Sequence, residues 1–260
     1  MELLGDLLLC IVGIGLKPKH VSIEGLETIK ACKRAYIEEY TSQYAESSLR
    51  ELEALAGKQF VPLSRSQVEE EFSGILEEAK HLDVCLAVFG NPMDATTHIQ
   101  ILLDAQKAGT ETKIVPATGI FDFVSVCGLE RYKFGRTTSI VFHEEGYEPE
   151  SFYDAILENK KAGLHTLCLL DIRKDESRLM SIKHAISLLE SIEERREKAV
   201  LSESITLGIA GAGSENQQLK AGTMEQLKLS SFTSFPQCII VCGKLNEKEI
   251  EGMRAFAGLG

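Results

Sequence analysis

The chain has 260 residues and a formal charge of -11 at pH 7, with 44% hydrophobic and 26% charged residues. Such proportions belong to a globular protein and exclude a collagen-like, fibrous or disordered chain; the length suits one large domain or two packed subdomains. The negative balance excludes non-specific nucleic-acid binding, which depends on Lys and Arg displacing counterions from phosphates, and leaves a basic partner open.

The opening run MELLGDLLLCIVGIGL carries Glu2 and Asp6, has no basic segment ahead of it and is broken by glycine. It predicts a buried strand over 7–15 rather than a membrane span or a signal peptide. Further short apolar runs predict strands over 59–63, 83–90, 112–117, 138–142, 165–172, 204–211 and 237–243. Between them, amphipathic stretches predict helices over 22–35, 46–56, 66–81, 97–109, 149–162, 180–198, 215–227 and 246–257. Alternation of this kind reads as an α/β protein built on largely parallel strands.

Several helix boundaries carry readable chemistry. Ser22 is expected to cap the first helix, Ser66 with Glu69 to form a capping box, and Thr96 or Thr97 to cap the helix that Gly109 ends. The rhythm pauses in PATGIFDFVSVCGLERYKFGRT, which predicts two α/β lobes, 1–118 and 119–260, with a cleft between them as the default ligand site. Seven scattered cysteines, at 10, 32, 85, 127, 168, 238 and 242, read as reduced core thiols. Cys238 and Cys242 share a strand face, but no second Cys or His pair stands near enough to complete a zinc site.

Ligands of a parallel α/β sheet bind beyond the carboxyl ends of its strands, which draws attention to GIGLKPKH (13–20), GNPMDATTH (90–98), PATGIF (116–121) and AGAGSEN (210–216). The first is not a dinucleotide fingerprint, because Pro18 stands where the third glycine belongs and no helix opens directly beneath the pair. The last lacks the Gly-Lys-Ser/Thr of a phosphate loop. On its own, Gly90-Asn91-Pro92 reads as a turn leading into a helix, with His98 a surface or capping residue. No nucleophile, base and orienting group fall into a recognisable trio. The residues alone therefore give a two-lobed α/β protein with glycine-rich strand ends and no assigned reaction.

The same loops, taken together in order, resemble the diphthine synthases, a branch of the tetrapyrrole-methylase-like class of S-adenosyl-L-methionine-dependent methyltransferases. The resemblance rests on VGIGLKPKHVSIEGLETIKACKRAY, YTS at 40–42, GNPMDATTH, VCGLERYKFGRT, ESFYDAILENKKAGLHTLCLLDIR, AGAGS, AGT at 221–223 and CGKLN, and so covers nearly the whole chain. It implies a parallel N-terminal sheet, a mixed C-terminal sheet and a cofactor cleft between the lobes. It also implies a cytoplasmic homodimer with no metal and no membrane or nucleic-acid partner. Cofactor contacts would fall on Leu16, Asn91, Asp94, Gly119, Ile120, Leu170, Ala212 and Gln237.

The resemblance further implies a protein substrate, translation elongation factor 2 carrying a 3-amino-3-carboxypropyl group on a histidine. Its amine would be methylated successively, three transfers giving the trimethylammonium product diphthine. Transfer from a sulfonium needs little acid-base help, so catalysis would rest on positioning, and no catalytic residue is assigned. The negative charge either steers a basic region of the factor or simply keeps the chain soluble. Rival readings are a small-molecule tetrapyrrole methylase and a non-catalytic protein of the same fold. The chain departs from the family pattern where Asn91 stands for Asp, Gly119 for Ser, Gly211 for Arg, and Gln237 and Asn246 for His; those at Asn91, Gly211 and Gln237 keep the second rival open. An amide oxygen at 91 still accepts hydrogen bonds, but the carboxylate charge is gone, and Asp94 is expected to compensate in part.

Overall fold

A computed structural model describes residues 8–202 and 204–260; Leu7, at the start of the first predicted strand, lies outside the described residues. The chain divides into two compact units, Met1–Asp122 and Phe123–Gly260.

The first unit runs β1 (Leu8–Gly13), α1 (Ile23–Ala31), β2 (Arg34–Glu38), α2 (Leu49–Ala56), β3 (Val61–Leu63), α3 (Arg65–Glu69), α4 (Ser73–Ala79), β4 (Val84–Val88), α5 (Ile99–Ala108) and β5 (Glu111–Val115), and α6 (Ile120–Phe123) crosses the division. Its strands pair in the order β3-β2-β4-β1-β5, every pair parallel. From β1 to β3 the chain steps across the sheet one way, and from β3 to β5 it steps back. Right-handed crossovers then place α1 and α2 on one face and α4 and α5 on the other. The two buried clusters follow suit. Cys10, Val12 and Ile14 pack with Ile29 and Leu52, whereas Leu9 and Ile11 pack with Ile75, Leu76, Ile101 and Ala105.

Three expectations need correction here. The strand β2 falls partly inside the helix predicted over 22–35, because Arg34 and Glu38 at its ends hid a five-residue strand whose pattern is mostly inward. The helix predicted over 66–81 is two, α3 and α4, and its capping box is Ser64 with Gln67: Gln67 N donates to Ser64 Oγ at 3.4 Å and Ser64 N donates to Gln67 Oε1 at 2.9 Å. The N-cap position of α5 belongs to His98, not to Thr96 or Thr97, and the side chain of His98 turns inward instead of capping. Ser22 and Gly109 act as expected, the serine accepting from Gly25 N and the glycine closing α5 in the left-handed conformation.

The second unit contains β6 (Thr138–Ile140), α7 (Ser151–Lys161), β7 (Thr166–Leu170), the hairpin β8 (Ile172–Arg173) and β9 (Arg178–Leu179), α8 (Ile182–Arg195), β10 (Thr206–Ala210), β11 (Gln218–Gly222), α9 (Met224–Leu229), β12 (Gln237–Val241) and α10 (Glu247–Ala257). Its main sheet has the order β11-β10-β12-β7-β6, with β6 and β7 parallel across α7 and the other pairs antiparallel. Phe152, Tyr153, Ile156, Ile186 and Leu189 from α7 and α8 cover Cys168, Leu170, Ile239 and Val241. The helix predicted over 215–227 is instead the edge strand β11 followed by α9. Gly222 ends β11, and Thr223, the one residue between the two elements, closes a capping box with Gln226 that starts the helix afresh. All seven cysteines are free and buried.

Candidate functional site

In the first unit, β1 lies between β4 and β5, so the loops leaving these three strands share one edge of the sheet. The chain leaves β1 toward one face and β4 toward the other, and such a parting of neighbouring strands opens a crevice at their carboxyl ends. The backbone there is close-packed. A Cβ on Gly13 would stand 2.8 Å from Gly90 O and from Pro92 Cδ, both in the loop after β4, and 2.9 Å from Ala117 Cβ in the loop after β5. Beyond it, Gly15 N donates to Gly90 O at 3.2 Å and Gly90 N to Gly15 O at 3.0 Å. Both glycines hold φ near +70°, where an L side chain is strained. This reciprocal bridge sets Leu16 and Asn91 as the next residues of two neighbouring loops.

Asn91 makes an Asx turn, its Oδ1 accepting from Met93 N at 3.3 Å while its carbonyl accepts from Asp94 N at 3.2 Å. An aspartate would make the same turn, so Asn91 retains the loop geometry and loses only charge. Gly119 lies against this turn: a Cβ there would be 3.1 Å from Asp94 Oδ2 and 3.2 Å from Asn91 N. Asn91, Asp94 and Gly119 are thus brought together. Gly119 N donates to Asp122 Oδ2 at 3.0 Å, and Ile120, half-buried, opens α6 directly after it.

Sequence reasoning missed a buried polar group behind the loop. His98 Nδ1 lies 2.7 Å from the Pro92 carbonyl oxygen, and its Nε2 lies 2.6 Å from Glu38 Oε2. Thr41 donates its hydroxyl to the other oxygen of Glu38. His98 and Glu38 are only 2% and 3% exposed. The available signals were a glutamate at a strand's end and a histidine just ahead of an amphipathic helix, both too common to single out.

The second unit gathers its three candidates at one edge of the mixed sheet. Leu170 ends β7, Gln237 begins β12, and Ala210, which faces Gln237 across the ladder, precedes Ala212 by two residues. The Gln237 side chain is taken up by backbone: Oε1 accepts from Ile182 N at 2.8 Å, at the start of α8, and Nε2 donates to Ser234 O at 2.9 Å. Both ends of that side chain are thus engaged within the protein.

Two buried polar atoms in these loops lack protein partners, Ser214 Oγ beside Ala212 and His20 Nδ1 in the segment after Leu16. Unpaired buried polar atoms are rare and ask for a ligand or water. Within the first unit, the half-buried Leu16 and Ile120 stand near the ends of loops that also carry the Asp94 carboxylate and glycine main chain, a mixed apolar and polar donor set of the kind a nucleoside with an amino-acid tail requires. Among the described residues no cluster of His, Cys, Asp or Glu could hold a metal ion, and no helix is long and apolar enough to cross a membrane.

Glu249, the third residue of α10, explains why widely separated motifs occur together. Its carboxylate accepts from Glu130 N at 3.1 Å, from Asn246 N at 3.0 Å, from His165 Nε2 at 2.8 Å and from the Lys133 ammonium. Gly243 N donates to His165 Nδ1 at 3.0 Å, which places the ring proton on Nε2. Burial opposes ionisation of Glu249, yet the Lys133, Asn246, His165 and Glu130 hydrogen bonds bring its pKa down to about 2. For His165, burial is the leading cause of a lowered pKa, with Lys133 adding to it against the upward pull of Glu249. CGLERYKFGRT, GLHTLCLLDI and CGKLN thus share one carboxylate. Asn246, where the resemblance implies histidine, caps α10 through Oδ1, which accepts from Glu249 N at 2.9 Å.

Comparison with known proteins accords with this architecture. Residues 8–228 match the family model of tetrapyrrole (corrin/porphyrin) methylases. A diphthine synthase of Methanococcus maripaludis is 38% identical over 95% of this chain and 98% of its own length. The diphthine methyl ester synthase of Homo sapiens is 35% identical over 96% of this chain and 95% of its own. A crystal structure of diphthine synthase superposes with a TM-score of 0.89 at 34% identity, covering 97% of each chain. The parallel and mixed sheets, their strand-end loops and these near full-length matches place the chain in the diphthine synthase family, S-adenosylmethionine-dependent methyltransferases of the tetrapyrrole-methylase fold.

Proposed function

We propose that this methyltransferase modifies translation elongation factor 2, methylating the amine of a 3-amino-3-carboxypropyl-histidine three times to give diphthine. The observation that carries the reading is similarity over nearly the full length, in sequence and in fold, to proteins named diphthine synthase. Bound S-adenosylmethionine supplies a methyl group already activated by its sulfonium. Leu16, Ile120 and Leu170 offer apolar surface for its base; Asn91, Asp94 and the main chain at Gly119, Ala212 and Gln237 offer partners for its hydroxyl, amino and carboxylate groups. Because the substrate amine needs only to be neutral, the protein's task is to hold two reactants in attack geometry and keep water out. The enzyme is read as a homodimer working in the cytoplasm, where translation factors are found.

The decisive experiment incubates the protein with S-adenosylmethionine and factor 2 bearing the unmethylated intermediate, then weighs the factor. A gain of three methyls is expected. Four would mean that a carboxylate is esterified too, a reading favoured by the relatives named diphthine methyl ester synthase; none would sink the assignment. Asp94→Ala is expected to weaken cofactor binding about tenfold, the worth of one hydrogen bond to a charged group. Equal affinity of variant and wild type in a calorimetric titration would remove Asp94 from the site.

A further inference from the structure

The group behind the cofactor loop fixes where protons must sit. The Pro92 carbonyl accepts and cannot donate, so the contact at 2.7 Å puts a hydrogen on His98 Nδ1. Across the ring, Nε2 and Glu38 Oε2 at 2.6 Å require one proton between them. The pair is either imidazolium with carboxylate or imidazole with carboxylic acid, and both forms hold a single shared proton. In a pocket this buried, losing it leaves an Nε2 lone pair against a carboxylate with no water to intervene.

We infer that His98, braced by Glu38 and Thr41, is a positioning residue for methyl transfer, holding the Pro92 carbonyl so that the Asn91–Asp94 turn keeps its cofactor-receiving shape. The inference rests on the proposed reading of that turn as part of the cofactor site. Within the turn, Met93 N and Asp94 N donate to Asn91, and Ala95 beside it sits at φ +51°, which an L residue adopts when its surroundings impose it. The strut adds a constraint from outside, tying the loop after β4 to the end of the adjacent strand β2.

Burial alone lowers the proton affinity of His98, but its hydrogen bonds to Glu38 and Pro92 and the charges of Glu38 and Glu69 raise it overall. Glu69 and Glu70, at the end of α3, and Asp104 of α5 line the same recess of about 500 Å³. These acidic groups favour the shared proton, while Arg65 of α3, which pairs with Glu69 at 3.2 Å and lies over the Tyr40 ring, is a cation on the same side that offsets part of their charge. The contribution of the strut is complete below the ordinary histidine value of ~6.5 and is lost as pH rises through the higher folded-state value.

The test is calorimetric titration of the full chain with S-adenosylmethionine, from mildly acidic to alkaline pH, for wild type, His98→Ala, Glu38→Gln and Asp94→Ala. His98→Ala is expected to raise Kd about tenfold at neutral pH. Glu38→Gln can donate its amide to Nε2 while Nδ1 still donates to Pro92, so it keeps the strut without an ionisable partner. That variant is expected to bind within about threefold of wild type at neutral pH and to weaken less than wild type at alkaline pH. Wild-type affinity in His98→Ala beside weakened binding in Asp94→Ala overturns the positioning role. The ligand's own amine titrates in every variant, so an alkaline weakening as large in Glu38→Gln as in wild type overturns it as well, and this comparison decides alone if His98→Ala does not fold. Unchanged binding in both alanine variants overturns the cofactor assignment of the turn itself.

Discussion

Gly13 shows how little room the candidate site leaves for a side chain. A methyl group there would press on Gly90, Pro92 and Ala117 at once, and two of those contacts are backbone or ring atoms that cannot swing away. Gly13→Ala is expected to cost about 1–3 kcal/mol of stability and to weaken cofactor binding more than tenfold, as read by denaturant titration and calorimetry. Glu249 makes a second case, on the acid side. Its pKa falls on folding to about 2, so its stabilisation is full above the unfolded value near ~4.3 and fades as pH drops toward 2. Glu249→Gln is expected to lose about 3 kcal/mol at neutral pH and to flatten that acid limb, measurable by urea unfolding at several pH values. Little of this was legible beforehand. The turn chemistry of Gly90 and Asn91 was readable because it is local, but Glu38 and His98, and likewise His165 and Glu249, are far apart in the chain and become partners only once the sheets are built.

At the level of elements, periodicity served wherever burial was one-sided or complete. β1, β4, β7 and β12 fall within their predicted runs because each is inward-facing along nearly its whole length. It failed at β2 and β11. Both are five residues long, with charge or half-exposed positions that blur the pattern, and β11 runs straight into the capping box of α9. One element contact depends on two missing side chains. Gly252 of α10 and Gly128, which follows the turn at Val124–Cys127, come so close that a Cβ on Gly252 would stand 2.9 Å from Gly128 Cα, and one on Gly128 2.7 Å from Gly252 C. Gly252→Ala is therefore expected to lower the thermal midpoint by about 2–8 °C through overpacking, despite alanine's better helix propensity. A scanning calorimetry trace with a raised midpoint would contradict this.

Across the whole molecule, all seven thiols lie inside the two units. A water-soluble aromatic disulfide is accordingly expected to react with none of them in the native protein and with all of them in denaturant. Rapid native reaction at even one would show that the unit holding it opens locally. The placement of β1 bears on how the protein is made. Leu9 is paired on one side with Val84 and on the other with Thr112. A ribosome therefore releases an almost wholly apolar strand whose two neighbours do not yet exist, and the first sheet cannot close until β5 has cleared the exit tunnel. Such long-range parallel pairing is slow, and the waiting segment is a natural client for a chaperone that binds extended apolar chain.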